Sequence, residues 1–302
     1  MMYTSALREN AAVLLDVDGT LVDSNDAHAR AWVEAFEEAG IRVEYERVRR
    51  AIGMGGDKLV PHVAGISEDS PEGARISRRR GEIFKSRYLP SIRPFPRVRE
   101  LVERFIADGF TVVVASSAKD DELAALLERA NVADLIEAQT SSDDADRSKP
   151  DPDIVEAAIG RSKAPREATV MFGDTPYDVQ AALRAGIAIA GLESGGWRRE
   201  DLAGAVEVYA DPADLYERYD QSIFARVARE RGVPGRSPSS IDMTLVMMIA
   251  AGVAGAVLIA LMISAISRRF SESADADTIG HERAPLGPRD RERLRRLIAR
   301  TS

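Results

Sequence analysis

The sequence predicts an α/β protein: a mainly parallel sheet, a helical insertion after its first strand, and one apolar span near the carboxyl end. Three observations carry this reading. Short apolar runs alternate with amphipathic stretches up to about residue 220, as strands joined by crossover helices do. Three of those runs end in polar residues, Asp16, Ser116 and Asp174, and in an open parallel sheet such ends share the rim where ligands bind. Between the first two runs, residues 24–92 form an insertion far longer than a crossover needs.

Taken in order, strands are expected at 13–16, 111–115, 170–172, 187–190 and 206–209. Within the insertion, helices are expected at 28–39, closed by Gly40, and at 77–88, after Pro71. The glycine-rich GMGGDK (53–58) between them reads as a flexible approach, and RPFP (93–96) returns the chain to the sheet. Further helices are expected over 120–129 and from Pro152 onward. Thr175 and Pro176 read as a helix N-cap and first position, with Gly186 just past that helix's end. The expected organisation is a core of 10–23 and 93–220, a helical cap of 24–92, a linker at 221–242 whose residues 224–231 could continue as helix, an apolar span at 243–266 and a basic, partly disordered tail at 267–302.

The span MTLVMMIAAGVAGAVLIALMISAI carries no charge, and as a helix it reaches roughly 36 Å, enough to cross a ~30 Å hydrocarbon layer. A single transmembrane helix is therefore expected. The start, MMYTSALREN, shows no basic segment leading into an apolar run, so no secretory signal is expected and the catalytic part is placed on the cytoplasmic side. Arginines flank the span on both sides (Arg229, Arg231 and Arg236; Arg268 and Arg269), so the positive-inside rule does not decide the orientation. Ala251 with Gly255 and Gly252 with Ala256 would permit close pairing of two such helices, hence a possible homodimer.

Composition narrows the chemistry. A net charge of −8 argues against nucleic acid as a partner. The absence of cysteine excludes disulfides, thiolate metal sites and cysteine nucleophiles. Any metal must then sit on oxygen or on His28, His62 or His281, and oxygen ligation points to a hard cation such as Mg²⁺.

Four segments bear reactive groups. DVDGT places Asp16 and Asp18 at the tip of the first strand, suited to a nucleophile and a proton donor facing one phosphate, with Gly19 making the turn and Thr20 offering a hydroxyl or N–H. In VVVASSAK, Ser116 can bond a phosphate oxygen and the backbone of Ser117 can assist. Lys149, held out of helix by Pro150, can neutralise both nucleophile and phosphate. In MFGDTPYD, Gly173 allows close approach, Asp174 is a metal ligand candidate, and Asp178 could ligate the metal or orient its waters. The need for cations is physical: a carboxylate and a phosphate charge about 4 Å apart repel by roughly 4 kcal/mol at an effective dielectric near 20.

These four segments, in this order, resemble the haloacid dehalogenase (HAD) superfamily over about residues 10–220, specifically its phosphatases with a helical cap after the first strand. The resemblance implies a Rossmann-like sheet, Mg²⁺ dependence and an aspartyl-phosphate intermediate. It also implies Mg²⁺ ligation by the Asp16 carboxylate, the Asp18 backbone carbonyl and Asp174. Phosphoglycolate phosphatases and β-phosphoglucomutases look nearest. The family's dehalogenases lack an acid at the Asp18 position, and its ion pumps place lysine there. The mutases are similar at His28 but typically carry Glu-Asp where Gly173-Asp174 stands.

The expected function is hydrolysis of a small phosphorylated metabolite, with Lys58, Arg49 and Arg50 of the cap as candidates to contact the rest of the substrate. The alternatives are a sugar-phosphate mutase and a non-catalytic, membrane-attached binding module. The latter should have lost some of Asp16, Asp18, Lys149 or Asp174, and all four are present.

Overall fold

A computed structural model describes residues 10–231, the side chain of Asp143 excepted. Six strands form one sheet: β1 (Ala11–Leu15), β2 (Phe110–Ala115), β3 (Ala138–Thr140), β4 (Thr169–Gly173), β5 (Ala188–Leu192) and β6 (Glu207–Tyr209). Their order is β3-β2-β1-β4-β5-β6, and every pairing is parallel. The central strand, AAVLL, is buried along its whole length, as expected of a strand covered by helices on both faces. Side chains alternate between the faces. Val13, Leu15, Val112, Val114, Val170 and Phe172 belong to one apolar cluster, whereas Ala12, Leu14, Val113, Ala115, Met171 and Ile189 belong to another.

Helices α5 (Val98–Ala107) and α6 (Asp120–Ala130) join the first cluster; α7 (Asp153–Ser162) and α8 (Pro176–Arg184) join the second. α9 (Pro212–Glu217) and α10 (Ile223–Glu230) close the described chain on the first face. The insertion between β1 and β2 is helical: α1 (Asn25–Glu38), α2 (Tyr45–Ala51), α3 (Gly56–Ala64) and α4 (Pro71–Ile83), followed by a π-helical turn at Phe84–Tyr88. Trp32 and Phe36 of α1 and Ile76 and Ile83 of α4 are buried there.

Several expectations shift. β3 was not foreseen: it is three residues long, and only Thr140 of Ala-Gln-Thr is buried, so it carries no apolar signature. GMGGDK is not a free approach loop, because Gly56, Asp57 and Lys58 are the first turn of α3. The packed core also runs past residue 220. Phe224 of α10 is fully buried, 4.7 Å from Phe105 and 6.1 Å from Phe172 between ring centroids.

No described helix is long and apolar enough to cross a membrane. The span at 243–266, its pairing into a homodimer, the tail at 267–302 and residues 232–242 of the linker lie outside the described residues.

Candidate active site

Register brings the strand tips together. Leu15 pairs with Val114 on one side and Phe172 on the other, so Asp16, Ser116 and Asp174 leave the sheet along one rim. The Asp16 N–H donates to Phe172 O at 2.9 Å, which extends β1 by half a residue pair. The chain then turns at Gly19, whose φ of +77° favours glycine. A Cβ there would lie 2.1 Å from Asp174 Oδ2, so the turn also needs glycine for space. Gly195 cradles the same carboxylate from the other side, where a Cβ would come within 1.7 Å.

Asp16, Asp174 and Asp178 each offer an oxygen such that all three lie within 4.8 Å of one another, and all three residues are buried. Lys149, 1% exposed, reaches them from the loop before α7: its Nζ lies 2.6 Å from Asp16 Oδ1 and 2.8 Å from Asp178 Oδ1. Burial pushes Asp16 up to about 7 despite Lys149, with Asp178 and Asp18 adding to the rise. Burial likewise raises Asp174 well above the carboxylate range, and Asp16 and Asp178 add to it. Burial alone would lower Lys149, but the two aspartates beside it outweigh that and hold its pKa above the ordinary lysine value. Two carboxylates raised first by burial and then by neighbouring aspartates are what a divalent cation would relieve. Carboxylate oxygens are also the donors that hard cations prefer. The residues present therefore fit such an ion.

The expected residues divide. Asp16, Asp174, Asp178 and Lys149 are brought together. Thr175 caps α8 and shares a reciprocal capping box with Asp178, whose Oδ2 accepts from Thr175 N at 3.0 Å and Thr175 Oγ1 at 2.6 Å. With Oδ1 on Lys149, both Asp178 oxygens already have protein partners. Thr20 is fully buried and places its Oγ1 3.0 Å from Asp16 Oδ2 and 3.1 Å from Asp174 Oδ1, so it bridges the carboxylates rather than facing a phosphate. Ser116 is buried, accepting from Ala118 N at 3.1 Å, which leaves its hydroxyl proton to donate. Ser117 is half-buried and lines a small chamber with Asp16, Asp18 and His28.

Lys58 and Arg49 do not join the chamber. Lys58 Nζ is bound to Asp151 at 2.6 Å. Arg49 donates to Asp26 Oδ1 and Gly195 O, each at 2.6 Å. Both instead tie the insertion to itself or to the sheet's loops. Arg50 lies with its guanidinium 4.6 Å from the centroid of the Trp197 ring, also away from the chamber.

Other residues hold the site in place. His28 Nε2 lies 2.7 Å from Asp18 Oδ1, and Ser24 Oγ donates to the same oxygen at 2.5 Å. Burial pushes Asp18 up, yet His28 and Ser24 outweigh it and keep its carboxyl below the usual range. His28 stacks on Phe84, 3.9 Å between centroids. Asn25 Nδ2 donates to Asp174 Oδ2 at 2.9 Å. Arg80 of α4 donates through Nη1 to both oxygens of Glu122 of α6, at 2.8 and 2.9 Å. The run SNDAH directly after the turn held three of these residues in view, Ser24, Asn25 and His28. Arg80 and Glu122 had no local signal.

The chain is similar to several known proteins. The family profile for haloacid dehalogenase-like hydrolases matches residues 13–192. "Probable phosphatase IndB" of Dickeya dadantii is 28% identical over 196 residues, 64% of this chain and 85% of that protein. A phosphoglycolate phosphatase of Rhodospirillum rubrum is 29% identical over 219 residues, 68% of this chain and 88% of that one. The crystal structure of a hydrolase from Pseudomonas syringae superposes with a TM-score of 0.66 at 30% identity, covering 70% of this chain and 99% of that one. With the profile spanning more than half its length and the aspartates and lysine gathered at one rim, this chain belongs to the haloacid dehalogenase-like hydrolases.

Proposed function

We propose that the chain is a Mg²⁺-dependent phosphatase that hydrolyses a small phosphorylated metabolite through an aspartyl-phosphate. The observation that carries this reading is Asp16 at the rim, buried among Asp174, Asp178 and Lys149. Asp16 attacks phosphorus, and the leaving alkoxide takes a proton from Asp18. Asp18 then accepts a proton from the water that cleaves the acyl phosphate. His28 and Ser24 hold the Asp18 carboxyl in place through Oδ1. Lys149 draws charge off Asp16 and the phosphoryl group, Asp178 keeps the lysine in place, and Ser116 donates to a phosphate oxygen. Asp16, Asp174 and the Asp18 carbonyl would hold Mg²⁺, which when bound supplies positive charge against the phosphate oxygens.

The mutase alternative is disfavoured by one detail. A Cβ on Gly173 would lie 2.8 Å from Cβ of Asp178, so the glutamate of the mutase pattern does not fit behind Asp174. We further propose, on sequence alone, that residues 243–266 attach the enzyme to a membrane with the catalytic part on the cytoplasmic face.

The test is phosphate release from a panel of phosphorylated metabolites and a generic aryl phosphate by residues 1–237, with Mg²⁺ or EDTA. Turnover that needs Mg²⁺ is expected. A folded protein inactive on every ester, or active equally in EDTA, would contradict the reading.

A further inference from the structure

Resting on the Mg²⁺-dependent phosphatase reading, the surroundings of Asp174 tie the metal ligand to the helical insertion. Gly173 of β4 pairs with Gly191 of β5, so the turn that follows β5, Glu193–Gly195, leaves the sheet beside Asp174. A Cβ on Gly195 would lie 1.7 Å from Asp174 Oδ2, and one on Gly19 would lie 2.1 Å from the same oxygen. Two stretches of bare backbone therefore enclose this carboxylate, and a shift of either changes the room it has. They are also pinned to each other, because Ser194 Oγ donates to Gly19 O at 2.7 Å.

Two neutral donors set how the carboxylate is turned. Thr20 Oγ1 lies 3.1 Å from Oδ1, and Asn25 Nδ2 donates to Oδ2 at 2.9 Å. Asn25 is 2% exposed, and the opposite amide orientation would set its oxygen against that of Asp174. In the orientation that remains, Asn25 Oδ1 is buried with no hydrogen-bond partner among the described residues. An unmet acceptor is costly in a fold held only by its own contacts. Beside a metal ligand it is one that the waters of a bound cation can meet.

Gly195 carries the connection outward. Its carbonyl accepts from Arg49 Nη2 at 2.6 Å, while Arg49 Nε donates to Asp26 Oδ1 at 2.6 Å. A Cβ on Gly196 would come within 2.9 Å of Arg49 Nη2, so the guanidinium lies close along this turn. Arg49 belongs to α2 of the insertion. Gly195 is buried, whereas the Asp26 side chain is 62% exposed, so the bond to the turn is the better protected of the two.

We infer that Asn25 and Arg49 position Asp174 for the cation as one unit, so that Mg²⁺ binds more tightly while α2 is seated on Gly195 and in turn holds α2 there. Asn25 acts on the ligand carboxylate directly, and Arg49 acts on it through the Gly195 backbone. Groups that orient a metal's ligands typically govern 10–100-fold of affinity. A coupling between ion and helix is reciprocal by thermodynamic necessity.

The test is calorimetric titration of Mg²⁺ into the metal-stripped full chain, without substrate. Asn25→Ala should weaken binding roughly 10–100-fold and Arg49→Ala about fivefold or more. Because both act on one carboxylate, the double variant should lose less than the product of the two losses. Amide exchange over Tyr45–Ala51 should slow when Mg²⁺ is added to the native chain and respond less in Arg49→Ala. Melts in EDTA identify a variant that has lost its fold. Should Asn25→Ala do so, Arg49→Ala, at a side chain 17% exposed, carries the test alone. Folded variants that bind Mg²⁺ as the native chain does, or an α2 whose exchange ignores the ion, overturn the inference and leave the phosphatase reading standing. A native chain that binds no Mg²⁺ contradicts both.

Discussion

Replacing Lys149 by methionine tests the electrostatic core of the site. The lysine sits 2.6 and 2.8 Å from two buried carboxylates, and each contact is worth ~6 kcal/mol of gross attraction at an effective dielectric near 20. Much of that offsets the cost of burying three charges, so the net loss on breaking such a cluster is about 3–5 kcal/mol. The deficit should depend on pH, with a definite sign. Burial already holds Asp16 near 7, and without the lysine its carboxyl rises further. A folded-state pKa above the unfolded one supports the fold at low pH and ceases to do so as pH climbs through it. In EDTA, melts followed by circular dichroism should therefore show a small deficit against the native chain at pH 5 and a large one at pH 8. With Mg²⁺ at pH 7, phosphate ester turnover should drop about 10²–10³-fold, the scale of removing one charge-stabilising group. A variant that melts like the native chain across that range, or whose deficit shrinks as pH rises, would refute the argument.

Asp16→Asn should abolish turnover without lowering the metal-free melting temperature at pH 8, because it removes a carboxylate that burial disfavours; phosphate release and a thermal melt check both halves. His28→Gln removes the strongest influence holding Asp18 low, so the alkaline fall-off in the pH–rate profile should move to higher pH while turnover falls roughly tenfold. Gly195→Ala pushes a methyl toward Asp174 Oδ2 and should weaken Mg²⁺ binding measured by calorimetry. Phe224→Ala should cost about 3–5 kcal/mol in urea unfolding, and ending the chain at 220 should prevent folding where ending it at 237 does not.

The parallel sheet and most of the site were legible because their causes are local. An apolar run ending in a polar residue states both where a strand is buried and where it emerges, and three of the four reactive segments sit at such an emergence. Parallel register then aligns the tips without further instruction, which is why Asp16 and Asp174 meet across a long stretch of chain. Lys149 was legible for a related reason, since the proline after it fixes the lysine in a loop at that rim. The three-residue β3 and the packing of α10 depend on neighbours that the segment itself does not name. Thr20 was placed at the right site with the wrong partner, because a turn signal does not say which way the hydroxyl points.

The helical insertion is where sequence reasoning had least purchase, and the physical cause is charge. Its cationic residues were weighed one at a time as ligands for the substrate, yet a lysine or arginine is pulled first toward the nearest carboxylate, whatever element supplies it. Arg49 found Asp26, Lys58 found Asp151 and Arg80 found Glu122, the last two across the boundary between insertion and core. In a chain with eight more acidic than basic groups, free cations near the site are the exception, and only an external anion that outcompetes those carboxylates could recruit one. The partners of Asp18 and Asp174 escape this competition, since His28, Ser24 and Asn25 bind by hydrogen bonds fixed on the first helix after the turn. The helix that begins the insertion is thus part of the catalytic framework. Movements of the insertion that carry α1 would change the proton chemistry at Asp18 together with access to it.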